Sequence, residues 1–256
     1  MGVIIERVLT QSFCVSLLGN EELAADVVAG KKDLRASPRK RALAGFASVL
    51  TEVPWAVDAE DIARLRQAGI SEEGIERTIL VTAFFNYFPR VADGTGIEFD
   101  YESPLPRLTA DPTREALPRF PESDWNLAVN GSRVPAFARA PQVASLLEPW
   151  RVFHMDRTEP LSQRMRHLLV RTVTHDLCDS AALVHWRDVR PSNESERTIS
   201  HFVEKLTKTP WAMSAVDIDA LRTVGLSDEE ILAAITLIAF QNAISRMHHA
   251  LAAVRR

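Results

Sequence analysis

The chain has few cysteines, little glycine in its C-terminal half, no long apolar runs and no excess of positive charge. Its two cysteines, Cys14 and Cys178, exclude a disulfide-rich scaffold and are typical of free thiols in a reducing compartment. The 30 basic and 34 acidic residues give a net charge of -4, which argues against a nucleic-acid partner. No apolar run reaches the roughly 18 residues that a membrane helix needs, and residues 1–7 lack the features of an export signal. We therefore expect a cytoplasmic protein without a membrane partner.

Proline and glycine are unevenly distributed along the chain. Nine of the 14 prolines fall between Pro104 and Pro160, and only one of the 10 glycines lies beyond Gly131. Proteins built of strands and turns need more of these residues throughout, so the pattern predicts an all-α fold. We expect helical units over residues 1–96 and 135–256, joined by a Pro-rich connection over residues 97–134 that is an ordered tether or a mobile lid. Within the second unit, helices are expected over residues 135–155 and 161–173.

An internal repeat is the strongest organisational signal. When residues 53–91 are placed over residues 209–247, an ungapped offset of 156, 17 of 39 positions are identical. A weaker match at an offset of 164 pairs Cys14 with Cys178. The sequence therefore predicts a tandem duplication whose first copy is shortened at its N-terminus, or whose start is assigned too late.

The repeated segment carries helix signals at matching positions. Asp58 and Ser214 are predicted to cap a short helix that ends at a glycine, Gly69 in the first copy and Gly225 in the second. Serines at positions 71 and 227 are then expected to cap a closing helix of roughly 20 residues, the second with a capping box. The first closing helix is expected to stop near residues 93–94, and the second to run on to the C-terminus.

Cys178 and the residues around it are the main candidates for chemistry. If a helix begins at Cys178, His185 lies on the same helix face and can relay a proton, while the helix dipole favours the thiolate. The neighbouring Asp176 and Asp179 act in the opposite direction, because negative charge raises the pKa of a thiol. The alternative interpretation is a small buried cysteine with a histidine two turns away.

Two features together resemble a known superfamily. They are helical copies with a cysteine at a predicted helix start, and a closing helix that contains Ala83-Phe84-Phe85-Asn86 followed by Arg90. This combination is similar to the alkylhydroperoxidase AhpD-like, carboxymuconolactone decarboxylase superfamily, and to its peroxidase-related branch in particular. The resemblance implies two AhpD-like repeats and a homo-oligomer. It also implies an antioxidant oxidoreductase that reduces hydroperoxides with thiols, with no cofactor and no metal.

The dithiol motif of redox-active members, Cys-x-x-Cys-x-x-x-His with an upstream glutamate, is incomplete in both copies. Cys178 takes the place of the first cysteine and His185 that of the histidine, but Ala181 stands for the second cysteine. Arg166 or His167 stands where the upstream acid belongs. In the first copy Cys14 is followed by Leu17, Glu21 takes the histidine's place, and Gly2 falls where the acid belongs. A disulfide cycle needs a second thiol within reach, so either Cys14 and Cys178 meet or an external thiol donor is required.

Two alternatives to thiol chemistry stay open. A decarboxylase-like enzyme needs acid–base groups and a pocket for an anionic lactone, and His175, His185 and Arg171 are candidates. A catalytically decayed member acts by assembly or ligand binding alone. The adjacent pair His248-His249 is not expected to hold a metal, because neighbouring helical residues point in different directions. The repeated pairs Asn86/Arg90 and Asn242/Arg246 either contact an anion or hold helices together.

Overall fold

The structure, a computed structural model, describes residues 37–97, 135–183, 186 and 188–255. Within these ranges all regular secondary structure is helical, which confirms the all-α class. The first group of helices comprises α1 (Pro38–Glu52), a 3₁₀ turn (Pro54–Ala56), α2 (Ala59–Gln67) and α3 (Glu72–Thr95). The second comprises α4 (Gln142–Met155), α5 (Gln163–Asp176), α6 (Ser180–Leu183), α7 (Glu194–Lys208), a 3₁₀ turn (Pro210–Ala212), α8 (Ala215–Thr223) and α9 (Asp228–Val254).

Helix α4 begins later than the sequence predicts. Residues 135–141 are not helical except for a turn at Pro141, and buried Glu76 of α3 holds this segment. Its two carboxylate oxygens accept hydrogen bonds from the backbone N–H groups of Ala138 and Arg139, both at 2.8 Å. The charge-assisted bonds satisfy two buried donors, and they fix the chain where it enters α4.

The predicted caps are where the sequence places them. Asp58 and Ser214 cap α2 and α8, and both form capping boxes with an aspartate three residues on. Gly69 and Gly225 follow these helices with φ of 76° and 97°, a left-handed conformation that glycine adopts without strain. Ser71 and Ser227 cap α3 and α9, the latter with Glu230 in a capping box. Helix α3 ends at Thr95, one residue beyond the predicted stop.

The two groups of helices share one element order. Helix α1, its 3₁₀ turn, α2 and the start of α3 lie 156 residues before α7, its turn, α8 and the start of α9. Their bounds agree residue for residue at this offset. The equal helix bounds agree with a duplication of one unit. The duplication itself stays a prediction from the sequence.

The core lies where the two long helices, α3 and α9, pack along each other. Ile75 and Ile79 of α3 and Ile235 and Ile238 of α9 are fully or almost fully buried there. Gly94 marks the closest approach, because a Cβ atom added to it would lie 2.8 Å from the Ile235 side chain. Helices α5 and α7 pack against each other and against α9 on one side of this pair.

Two buried arginines join the halves reciprocally. The Arg90 Nη2 donates to the Thr207 carbonyl at 3.0 Å, and the Arg246 Nη2 donates to the Thr51 carbonyl at 2.8 Å. Each arginine also donates from Nη1 to the asparagine four residues before it, Asn86 or Asn242. These bonds cap the last carbonyls of α1 and α7, so the geometry agrees with a packing role for the repeated pairs.

Candidate functional site

A cavity of about 420 Å³ opens between α4, α5 and α9, in the second group of helices. Its floor comes from one face of α9, where residues 241, 244 and 248 recur at helical spacing. Helix α5 and the loop after α4 supply the walls. The lining residues are Arg151, Met155, Asp156, Arg157, Thr158, Gln163, His167, Val170, Ala182, Trp186, Phe240, Gln241, Ile244 and His248.

The local fold around the end of α5 places a buried carboxylate beside this cavity. Helix α5 ends in a Schellman motif, in which the Cys178 N–H donates to the His175 carbonyl and the Asp179 N–H to the Thr174 carbonyl. Asp179 follows at the next position and is only 1% exposed. Its Oδ1 accepts the Ala182 N–H at 3.2 Å, so it also caps the single turn of α6.

Asp179 binds a histidine that lines the cavity. The His248 Nδ1 lies 2.8 Å from the Asp179 Oδ2, and the histidine side chain is 12% exposed. An ionised carboxylate can only accept, so Nδ1 carries a proton; when the ring is neutral, its lone pair is on Nε2. A carboxylate held in this way fixes the tautomer and orientation of an imidazole, and it stabilises the positive charge that the ring acquires with a second proton. We call Asp179 and His248 the dyad.

The surroundings of Asp179 lower the pKa of its carboxyl group. Burial alone would raise the pKa of Asp179, but the interaction with the His248 ring lowers it, with smaller contributions from His249 and Ser245. His249 donates from Nε2 to the Leu177 carbonyl at 2.7 Å, which ties α9 to the end of α5. Burial lowers the pKa of His249, against opposite effects of Asp179 and of the hydrogen bond to the Leu177 carbonyl.

The remaining cavity wall is partly aromatic and partly cationic. The His167 ring lies 4.3 Å from the Trp186 ring, and burial lowers the pKa of His167. Arg151 is bound to carboxylates at positions 148 and 156. The Arg157 guanidinium lies 4.2 Å above the Phe153 ring, and no described residue forms a salt bridge with it.

Cys178 lies between the end of α5 and the start of α6, which begins two residues later at Ser180. It occupies the position after the α5 C-cap with φ of 57°, a left-handed conformation that is uncommon for residues other than glycine or asparagine. The side chain is 6% exposed, and Cys178 is not among the residues that line the cavity. Burial and the charge of Asp176 raise the pKa of the thiol to about 12, against a smaller opposite effect of Lys208.

Of the other predicted site residues, the structure describes only His175 and Arg171, and neither is among the residues that line the cavity. His175 is half exposed in the last turn of α5, where its Nδ1 lies 3.3 Å from the Asp176 carboxylate. Cys14 and the side chain of Ala181 lie outside the described residues, and so does His185. Arg171 is not part of the cavity wall.

Arg166, one of the two residues that the resemblance puts in the place of an upstream acid, has a structural role. Arg166 is buried, and its guanidinium donates to the carbonyls of His154, Glu159 and Leu161. These bonds hold the loop between α4 and α5. His167, the alternative occupant of that place, lines the cavity.

Sequence reasoning missed the dyad. The sequence singles out His248 only as half of an adjacent histidine pair that is not expected to hold a metal, and Asp179 only as a charge near Cys178. A signal for His248 was present, because the repeat aligns it with Ala92, a position where the first copy has no polar group. Among the described residues, no group of three or more His, Cys, Asp or Glu side chains could hold a metal ion. No described helix combines the length and apolarity that crossing a bilayer requires.

Comparisons with protein-family models, with curated proteins and with solved structures find no match for this chain. The superfamily resemblance therefore rests on the sequence motifs alone and stays a prediction.

Proposed function

We propose that the protein is a proton-transfer enzyme without redox chemistry, and that the dyad is its acid–base machinery. The observation that carries the proposal is the buried Asp179 carboxylate bound to Nδ1 of a histidine in a cavity wall. In this proposal His248 Nε2, which is buried in this structure, takes a proton from an O–H or C–H bond of a molecule bound in the cavity. The bonding electron pair stays on the substrate, and the imidazolium returns the proton at a later step. An isomerase that removes a proton from its substrate and returns it at another position or face uses this exchange.

Thiol chemistry at Cys178 has less support from the geometry. A thiolate is the nucleophile in every thiol peroxidase cycle, and a thiol with a pKa of about 12 is almost fully protonated near pH 7. The hydroperoxide reduction that the resemblance implies stays a prediction. Its own test is loss of thiol-dependent peroxide consumption in Cys178→Ser.

Solvent exchange tests the proposal without a known substrate. Carboxylic acids and carboxylated lactones with a C–H bond next to a carbonyl are incubated with the protein in D₂O, and loss of that proton signal is followed by NMR. We expect exchange above the buffer rate for at least one compound, with a fall of about 100-fold or more in His248→Gln. Asp179→Asn is expected to slow exchange while the cavity is kept.

Matched variants separate the dyad from the sequence-predicted residues. His175→Gln changes a histidine outside the cavity, and Cys178→Ser removes the buried thiol. Both are expected to exchange at the wild-type rate. Exchange that survives in His248→Gln, or that is lost in Cys178→Ser with an unchanged fold, contradicts the proposal. No exchange with any compound of the panel contradicts it as well.

A further inference from the structure

Helix α3 carries an exposed apolar stripe. Val81, Phe84 and Phe88 are 41%, 36% and 49% exposed, and their spacing puts all three side chains on one face of the helix. Between residues 78 and 92 the single charged side chain is that of Arg90, which is buried. This stretch of α3 therefore presents an uncharged surface to solvent. Scattered apolar residues are normal on a protein surface, but a row of them marks an interaction site.

The second group of helices buries the same face. At the offset of 156 residues, the three positions correspond to Leu237, Phe240 and Ile244 of α9, each at most 2% exposed. Helix α4 covers part of this face, where the His154 ring stacks on the Phe240 ring with 4.9 Å between their centroids. Helix α5 packs along α9 as well. Within the described ranges the α3 stripe is covered far less completely, so a face that packs in one half stays open in the other.

The open surface continues onto α4 through an aromatic cluster. The Phe84 ring lies 5.5 Å from the Trp150 ring and 5.3 Å from the Phe88 ring, measured between centroids. On α4, Leu146 and Phe153 lie one turn to either side of Trp150 on the same helix face, and both are exposed. We call five side chains the apolar face: Val81, Phe84, Phe88, Leu146 and Phe153. An aromatic-rich surface whose members are all uncharged is typical of the core of a protein–protein interface.

The spacing along α3 favours another helix as the occupant of this face. Steps of three and four residues alternate through Val81, Phe84, Phe88 and Val91, which is the seam pattern of packed helices. The pattern is the same in both chain directions, so a second α3 that lies antiparallel across a two-fold axis meets the first in register. Phe84 of one copy then lies opposite Phe88 of the other. Val81 lies opposite Val91 in the same way.

We propose that the protein forms a two-fold homodimer in which the α3 helices pack antiparallel through the apolar face. The exposed parts of its five side chains amount to on the order of 500 Å² per copy. A specific interface buries about 800 Å² per partner, which a polar rim around this apolar core completes. Aromatic side chains at the centre supply much of the binding energy of such an interface. Because the apolar area is small for a stable complex, the dimer is expected to dissociate in the micromolar range.

Sedimentation velocity of the full chain measures the association, over concentrations of about 1 to 200 µM. We expect a dimer that dissociates on dilution. Phe88→Asp is expected to weaken the dimer by about 100-fold or more, because it places an unpaired charge at the centre of the helix seam. The control Val216→Asp puts the same charge on α8, at an exposed valine outside the apolar face, and is expected to leave association unchanged. Circular dichroism shows whether each variant is folded.

Cross-linking tests the antiparallel arrangement, and it decides the matter if Phe88→Asp fails to fold. In a Cys14→Ser background, one chain carries Val81→Cys, and a second chain with a mass tag carries Val91→Cys. Mixed disulfides are expected to exceed like-with-like disulfides, because positions 81 and 91 meet across the axis while like positions lie roughly 15 Å apart along the helices. A wild type that stays monomeric, a folded Phe88→Asp variant that dimerises as the wild type does, or a majority of like-with-like disulfides overturns the inference.

Discussion

The reactivity of Cys178 gives the sharpest test of how this structure treats its buried thiol. Cys14→Ser leaves Cys178 as the only cysteine, so alkylation by iodoacetamide reports this residue alone. With the pKa raised from 9.0 to about 12, the thiolate fraction at pH 8 falls about 1,000-fold. The reactivity of a thiolate grows with its basicity, with a Brønsted coefficient of about 0.4–0.5, which returns a factor of about 20. The pKa alone therefore predicts alkylation about 50-fold slower than for an ordinary cysteine, and burial slows it further.

The measurement is the alkylation rate from pH 6 to pH 10, with the same variant in denaturant as the reference. The rate is expected to rise about tenfold per pH unit without levelling off, because the thiol stays far below its pKa. Repeating the series at low urea concentrations identifies any reaction that proceeds through local opening, since that rate climbs with urea. A titration with a midpoint at or below pH 9 in the native protein refutes the reasoning. That result would support a role for Cys178 as a nucleophile.

Three further predictions concern stability and are measured by urea unfolding. Arg246→Met removes buried hydrogen bonds to both halves and is expected to lower the free energy of unfolding by roughly 2–4 kcal/mol. The control Arg77→Met changes an exposed arginine and is expected to change that free energy by less than about 0.5 kcal/mol. Equal effects of the two substitutions would contradict the packing role of Arg246. Gly94→Ala is expected to destabilise the protein by about 1–3 kcal/mol, because the added methyl group overpacks against α9. Gly45→Ala has open space around it and is expected to stabilise the protein by about 0.5–1 kcal/mol. Stabilisation by both substitutions would show that α3 and α9 separate readily. Hydrogen bonds from Arg164 lower the pKa of Glu196 from 4.5 to about 2. The contribution of this ion pair to the free energy of unfolding is therefore fully present above pH 4.5 and is lost as the pH falls toward 2. Glu196→Gln is therefore expected to lower the urea midpoint at pH 7. A difference in midpoint between the wild type and the variant that stays constant down to pH 2 would contradict this.

Local sequence signals predicted the helix ends well because capping is a short-range effect. Asp58 and Ser227 bond backbone groups within three residues, and Gly69 relieves a left-handed turn at its own position. Such contacts depend on nearby residues and only weakly on the rest of the fold. The start of α4 was predicted too early for the opposite reason. Its preceding segment is held by Glu76, which is 62 residues from its partner Ala138.

The environment of Cys178 shows where a local argument failed. A cysteine between two predicted helices was assigned to the start of the second one, where a thiolate is favoured. In the structure it closes the first helix in a position that usually takes glycine, and the following helix α6 has a single turn. Which of two adjoining helices a junction residue belongs to depends on how each of them packs.

Composition, spacing and capping residues by themselves determined that this chain forms helices, where most of them begin and end, and that two stretches 156 residues apart share one pattern. The tertiary structure alone decided which polar groups meet. Asp179 and His248 are 69 residues apart, and Arg246 reaches a carbonyl 195 residues away. The physical reason is that hydrogen bonds between buried side chains form only after helix packing has excluded water, and no local pattern encodes that arrangement.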